Sequence, residues 1–184
     1  MKPISGRPKK CKVCKQPFVR ERSFQVCCSP KCAIELVRQE NEKERKIELQ
    51  LRRESLKSRS EWLAEAQKAF NAWVRERDYG QPCISCGRSS GCKVNAGHYR
   101  SVGAQPALRF HPDNVHLQCE HCNTYLSSNA IEYRIRLVQK IGEAKVEWLE
   151  QEHEAAKWTI DEIKEIKAHY QKAVRELIKA RKQA

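Results

Sequence analysis

The chain has 184 residues, 40% of them hydrophobic, 7% aromatic and 32% charged, with a formal net charge of +13. That composition supports a modest core carrying long exposed helices and argues against one large globule, and the lack of any run of about 18 apolar residues argues against an ordinary membrane-spanning helix. Ten cysteines follow a start, Met1 to Lys10, with no apolar signal core, so metal binding in a reducing cytosol is expected rather than disulfides.

The charge is uneven: residues 1–32 carry nine Lys and Arg against one Glu, whereas the rest of the chain is close to balanced. A basic excess of this kind suits a polyanion, because neutralising phosphates releases condensed counterions. Lys9, Lys10, Lys12, Arg20 and Arg22 are therefore expected to contact DNA phosphates. In the same segment, Cys11-x2-Cys14, Phe18 and Cys27-Cys28-Ser29-Pro30-Lys31-Cys32 predict a small treble-clef-like zinc site made of a knuckle, a hairpin and a second pair at a helix start. Cys32 supplies its fourth ligand. Cys28 is preferred over Cys27 as the third, because the Cys28 to Cys32 turn brings those two onto one side.

From Ala33 to Arg77 there is no Pro or Gly, which predicts one long helix or two joined ones. Leu49, Leu56, Leu63 and Phe70 recur every seven residues, with Ala66 and Trp73 three positions after the last two. This seam is convincing only in its second half, where Trp62, Phe70 and Trp73 are placed to pack on the following domain or on a second copy; the first half reads as a solvated connector. Tyr79-Gly80-Gln81-Pro82 ends the helix. Farther on, Ser128 or Asn129 is expected to cap a helix carrying Ile131, Ile135 and Val138, with Gly142 as its stop. Another helix is expected around Val146, Leu149 and Ala156. Thr159 to Glu162 then forms a capping box for a last helix with an apolar face of Ile163, Ile166, Tyr170, Val174 and Leu177.

The middle segment carries the chemistry. Cys83-x2-Cys86 and Cys119-x2-Cys122 are separated by 32 residues and are spaced to close around a second zinc ion. Between and just after these pairs lie His98, on a predicted strand, Asn114, and Asn123, which directly follows Cys122. A purely structural ribbon needs only the four cysteines. His98 is suited to take a proton from water if its other ring nitrogen is held by a backbone carbonyl. Asn123 offers an oxygen to Mg²⁺ or Mn²⁺, a cation that stabilises charge developing on a phosphate. Asn114 is expected to hold the adjoining loop by backbone hydrogen bonds.

With His98, Asn114 and Asn123 in the three motif positions, the sequence resembles the His-Me finger, or HNH, endonucleases, and its two zinc pairs resemble those of phage endonuclease VII. Ala96 to Ser101, Leu108 to Phe110 and Asn114 to Asn123 are similar to the NinG (Rap) recombination proteins of lambda-like phages, and that likeness extends over nearly the whole chain. It implies structure-selective cleavage of branched DNA such as Holliday junctions and D-loops, in the cytoplasm of a bacterial host. Gly97 stands where many relatives carry the Asp or second His that binds the catalytic metal, so the second ligand is open among Asp113, His116 and His121. Arg100 and Arg109 are candidate phosphate clamps. His111 is read as a loop residue and Cys92 as a hairpin or core residue.

The expected architecture is mainly α with small zinc-stapled β elements. It comprises a basic four-cysteine zinc finger (1–32), a charged helical connector (33–78), a ββα-metal nuclease core (79–128) and C-terminal helices (129–184). Two structural zinc ions and a catalytic Mg²⁺ or Mn²⁺ are expected as cofactors. A homodimer is expected through Leu56, Leu63, Phe70 and Trp73, or through the C-terminal helix. A non-catalytic zinc protein that binds DNA or bridges recombination partners is the alternative.

Overall fold

The computed structural model describes residues 8–183, so the first residues of the expected basic finger lie outside it. The chain divides into two compact units, one ending at Lys57 and one starting at Ser58. It is mainly helical, with two small antiparallel sheets and two four-cysteine clusters among the described residues.

In the first unit, β1 (Lys9–Lys10) pairs with β2 (Pro17–Phe18), Lys9 lying opposite Phe18. Between them Lys15 takes φ 62° and donates its N–H to the Cys11 carbonyl at 3.1 Å, which closes the knuckle. Helix α1 (Pro30–Ser55) starts where Ser29 caps it by accepting from the Cys32 N–H at 3.3 Å, with Pro30 preset for the first turn. No residue of α1 is buried. Pairs along its surface such as Glu42 with Lys46, at 2.7 Å, support it instead. Leu49 and Leu56 are exposed, so the first half of the seven-residue seam adds nothing to a core.

The second unit opens at Ser58, which caps α2 (Arg59–Arg77) in a reciprocal box with Glu61. This cap explains why the long Gly- and Pro-free stretch becomes two helices. Trp62, Ala66, Phe70 and Val74 recur every four residues on one face of α2 and are buried. They meet Phe110, Val115 and Ala96 on one side, and Ile163, Ile166 and Tyr170 of α5 (Ile160–Arg181) on the other. Phe70 stands edge-on to Tyr170 at 4.8 Å and to Phe110 at 5.8 Å. Glu65 meets Lys167 at 2.7 Å and Glu76 meets Arg181 at 2.8 Å, so α2 and α5 run in the same direction. Leu63, Phe70 and Trp73, expected as a contact with a second copy, are thus used within the chain, as is their rival, the C-terminal helix. The Thr159–Glu162 capping box forms as expected.

Strands β3 (Val94–His98) and β4 (Val115–Cys119) pair antiparallel, with His98 opposite Val115 and Val94 opposite Cys119. Side chains alternate across a strand. Ala96 and Val115 pack toward α2, while Gly97 and His116 face Tyr133 of α3 (Ala130–Ile141), whose hydroxyl donates to the Gly97 carbonyl at 3.0 Å.

Helix α3 departs from expectation in its start and its phase. Ser127, Ser128 and Asn129 all have positive φ, and Asn129 makes no side-chain cap; its amide instead lies 3.9 Å from the Cys122 sulfur. The buried face is Tyr133 and Leu137, with Val138 packed beside them as expected, whereas Ile131 is 79% exposed and Ile135 is also exposed. The bond from Tyr133 to β3 sets that rotation. Gly142, at φ 88°, ends the helix as expected. Helix α4 (Glu143–Glu150) buries Val146 and Leu149, and Ala156 lies outside it.

Candidate functional site

Cys11, Cys14, Cys28 and Cys32 converge in the first unit, and Cys83, Cys86, Cys119 and Cys122 in the second, each set with its sulfurs within 4.8 Å of one another. Tetrahedral zinc with bonds of about 2.3 Å sets its sulfurs about 3.8 Å apart. Cys14 to Cys28 is 3.5 Å, Cys28 to Cys32 is 3.7 Å, and Cys86 to Cys119 is 3.8 Å, so both sets fit the ion. Backbone amides prepare the second set: Cys119 N–H donates to the Cys83 sulfur at 3.3 Å and Cys122 N–H to the Cys119 sulfur at 3.4 Å. Burial pushes the Cys83 thiol up, yet the backbone amides of Cys119, Cys86 and Ser85 outweigh it and hold it at about 7. Cys27 is not one of the four, and its thiol donates to the Cys32 carbonyl at 3.5 Å. Cys92 packs against the second set. Reduced protein should therefore carry two zinc ions per chain by metal analysis, and chelating them should loosen the fold; one ion or none would contradict the reading.

At the other end of the β3–β4 hairpin lies His98. Its Nε2 is 3.1 Å from the Arg109 carbonyl. A carbonyl only accepts, so Nε2 carries the proton and Nδ1 is the ring's acceptor. Burial holds the His98 pKa below its usual value, against the bond to Arg109, and the ring is neutral at neutral pH. His98 borders a cleft of about 490 Å³ whose other walls include Arg109 and, from α2, Gln67, Lys68, Asn71 and Arg75. The lining contains three permanent cations and no carboxylate. The α2 contribution escaped the reading of the sequence, although Ala64, Gln67, Asn71 and Arg75 recur at helical spacing beside the apolar stripe.

Asn114 is fully buried and spends its whole carboxamide on the connection between the strands. Its Oδ1 accepts from Arg100 N–H at 2.8 Å, and its Nδ2 donates to the Arg100 and Leu108 carbonyls at 3.0 and 3.1 Å. Leu108 precedes Arg109, whose carbonyl orients His98. Arg100 is tied by its backbone in the same connection, and Arg109 alone of the two candidate clamps lines the cleft.

Asn123 does not line the cleft. It is half-buried in an irregular helical turn, His121–Tyr125, beyond Cys119. Val115, the partner of His98, and Cys119 lie four residue steps apart along β4, which is about 14 Å at about 3.4 Å per residue. Nor do the other candidate ligands line the cleft. Asp113 pairs with Lys145 at 3.3 Å, His116 is buried under Tyr133 on the opposite hairpin face, and His121 is exposed beside Tyr125. At Gly97 a Cβ would lie 2.0 Å from Gln118 Oε1, so the space a side chain would need there is filled by Gln118, which bonds Ser85 at 2.7 Å. His111, placed in a loop by the sequence, stacks on Trp148 at 5.0 Å.

Bacteriophage Lambda NinG protein is the description of the family model that matches residues 5–180. The chain belongs to the NinG family. It is 38% identical to the protein ninG of Escherichia phage 933W over 96% of both chains, and 38% identical to those of Escherichia phage lambda and Salmonella phage P22 over 93% of each. No solved structure matches. No helix among the described residues is long and apolar enough to cross a membrane.

One feature of this NinG family member lies under the hairpin. Asp78 is buried, pairs with Arg77 at 2.8 Å and Lys140 at 3.5 Å, and accepts the Leu117 N–H at 3.0 Å. The same two cations add to burial in pushing neighbouring His116 down to about 3. The unfolded chain takes up a proton on this histidine near 6.5 and the folded chain does not. The contribution of this histidine to stability is therefore fully present above about pH 6.5 and is lost as the pH drops toward 3. Thermal denaturation should show this loss beginning just below pH 6.5, and His116→Gln should flatten its onset.

Proposed function

We propose that the chain is a divalent-metal-dependent DNA endonuclease acting on branched recombination intermediates of a phage, in the cytoplasm of its host. The observation that carries the reading is His98: Nε2 is fixed by the Arg109 carbonyl, and Nδ1 is left as acceptor beside a cleft walled by Lys68, Arg75 and Arg109. Cations without carboxylates suit a phosphate. A neutral imidazole with one nitrogen anchored is suited to take the proton of an attacking water. Asn114 is the positioning residue, since it fixes the loop that presents the Arg109 carbonyl.

A bound Mg²⁺ or Mn²⁺ would supply charge stabilisation at the phosphate and the leaving oxygen. The resemblance assigns it to Asn123; the cleft offers instead the carboxamides of Gln67 and Asn71, and Gln67 Oε1 is buried without a hydrogen-bond partner. The assignments are separable. If Asn123 holds the ion, Asn123→Ala cleavage should recover partly as Mg²⁺ or Mn²⁺ is raised, whereas if the cleft does, Asn71→Ala and Gln67→Ala should show that rescue and Asn123→Ala should not.

The other reading is a zinc-containing DNA-binding adaptor without catalysis, favoured by the lack of a carboxylate in the cleft and by Gln118 occupying the space beside Gly97. The test is incubation of zinc-loaded protein with an end-labelled four-way junction, with and without Mg²⁺ or Mn²⁺. Nicking that requires the added ion supports the nuclease. Junction binding with no nicking under either ion supports the adaptor.

A further inference from the structure

The first unit holds a recess of about 410 Å³ bordered by Lys9, Lys10, Lys12, Arg20, Phe18 and Phe24, with no acidic side chain in its lining. Four cations expected from sequence to contact DNA are thus gathered around two aromatic rings. The loop carrying Phe24 is tied down on both sides: Arg20 donates to the Ser23 carbonyl at 2.8 Å, Glu21 N–H to Gln25 Oε1 at 2.8 Å, and Lys12 N–H to the Val26 carbonyl at 3.0 Å. Phe24 is nevertheless 95% exposed. A phenyl ring left in water forgoes the gain of burial, so an ordered loop that holds it out has a surface ready for a ligand with a flat apolar face.

We propose that this recess binds unpaired nucleotides of single-stranded DNA, with Phe24 stacking on a base beside Phe18 and with Lys9, Lys10, Lys12 and Arg20 on the flanking phosphates. Only a polymer offering both an aromatic face and regularly spaced anions uses every group in the lining. In a duplex the base faces are already stacked and do not reach Phe24. An anionic lipid surface would suit an isolated apolar tip, whereas Phe24 borders a recess shared with Phe18 and four cations. The inference rests on the reading that this chain handles DNA and gives the branch preference a physical basis, since branch points expose unpaired bases; it is independent of cleavage.

The test uses full-length, zinc-loaded protein in the His98→Ala background, so that hydrolysis does not enter. Anisotropy of a short labelled oligothymidine, a duplex of equal length and an abasic strand is measured for this protein and for added Phe24→Ala or Phe24→Trp. Stacking of about 1–3 kcal/mol per base predicts a loss of roughly 5- to 150-fold for Phe24→Ala on the oligothymidine, recovery with Phe24→Trp, and little change on duplex or abasic strand. Unchanged oligothymidine affinity in Phe24→Ala would overturn the proposal, as would Phe24-dependent binding to phosphatidylserine vesicles without strand binding. A protein that binds in this way but never nicks a junction would leave this site standing and remove the nuclease.

Discussion

Replacing His98 with Ala should slow phosphodiester hydrolysis by about a hundred-fold or more, the usual effect of removing a general base, while leaving DNA affinity nearly intact. On the proposed reading the two effects separate, because the cations that would hold phosphate, Lys68, Arg75 and Arg109, line the cleft independently of the imidazole. Burial already holds His98 below its usual pKa, so wild-type activity should be level through neutral pH and fall only on the acid side, as Nδ1 takes up a proton. A single-turnover pH profile on junction DNA measures this limb. Near-normal cleavage by His98→Ala would remove this histidine from the chemistry, and His116, buried on the other hairpin face, is not placed to replace it.

Asn114→Ala should cost about 3 kcal/mol of folding stability, because it leaves the Arg100 N–H and the Arg100 and Leu108 carbonyls without the partner that satisfied them. Asn114→Asp keeps the acceptor for Arg100 N–H but loses both donated bonds, and it buries a carboxylate against the Arg100 and Leu108 carbonyls. Urea denaturation of the two variants should rank both well below wild type. Where the folded form is still populated, cleavage should fall as well, since the Arg109 carbonyl that aims His98 belongs to the same loop. A variant as stable as wild type would show that the connection holds itself without Asn114.

The features legible in the sequence were those fixed by short spacing. Two close cysteine pairs per cluster, Ser29-Pro30 at a helix start, Thr159 with Glu162, and a histidine closing a strand are local statements, and the chain has little freedom in how it satisfies them. Cys28 rather than Cys27 joins its neighbours for the same reason, since the turn through Ser29 and Pro30 into α1 sets it beside Cys32. What stayed hidden depends on distant partners. The polar stripe Gln67, Asn71 and Arg75 gains meaning only when α2 lies against the hairpin, and the repeat Leu63, Phe70 suggests a second copy until Tyr170 is seen to cover it. Ile131 and Ile135 look like an inner face on hydropathy alone, but one hydroxyl bond, Tyr133 to Gly97, rotates them outward. The placement of Asn123 beyond Cys119 follows from strand register, which the motif does not encode.

The parallel pairing of α2 with α5 has a consequence for how the protein is made. Arg59 bonds the Trp158 carbonyl and Glu65 meets Lys167 across 99 and 102 residues of chain, so Phe70 and Trp62 are synthesised long before the helix that covers them. Contacts this far apart are slow to form and leave apolar surface open in the interval. The first unit faces no such delay, because its four cysteines lie within one short stretch and need only a zinc ion. Vectorial synthesis should therefore yield a folded, cationic finger while α2 is still waiting for its partner, and in nascent chains halted before residue 159 the finger up to about Cys32 should resist protease while α2 is open to it.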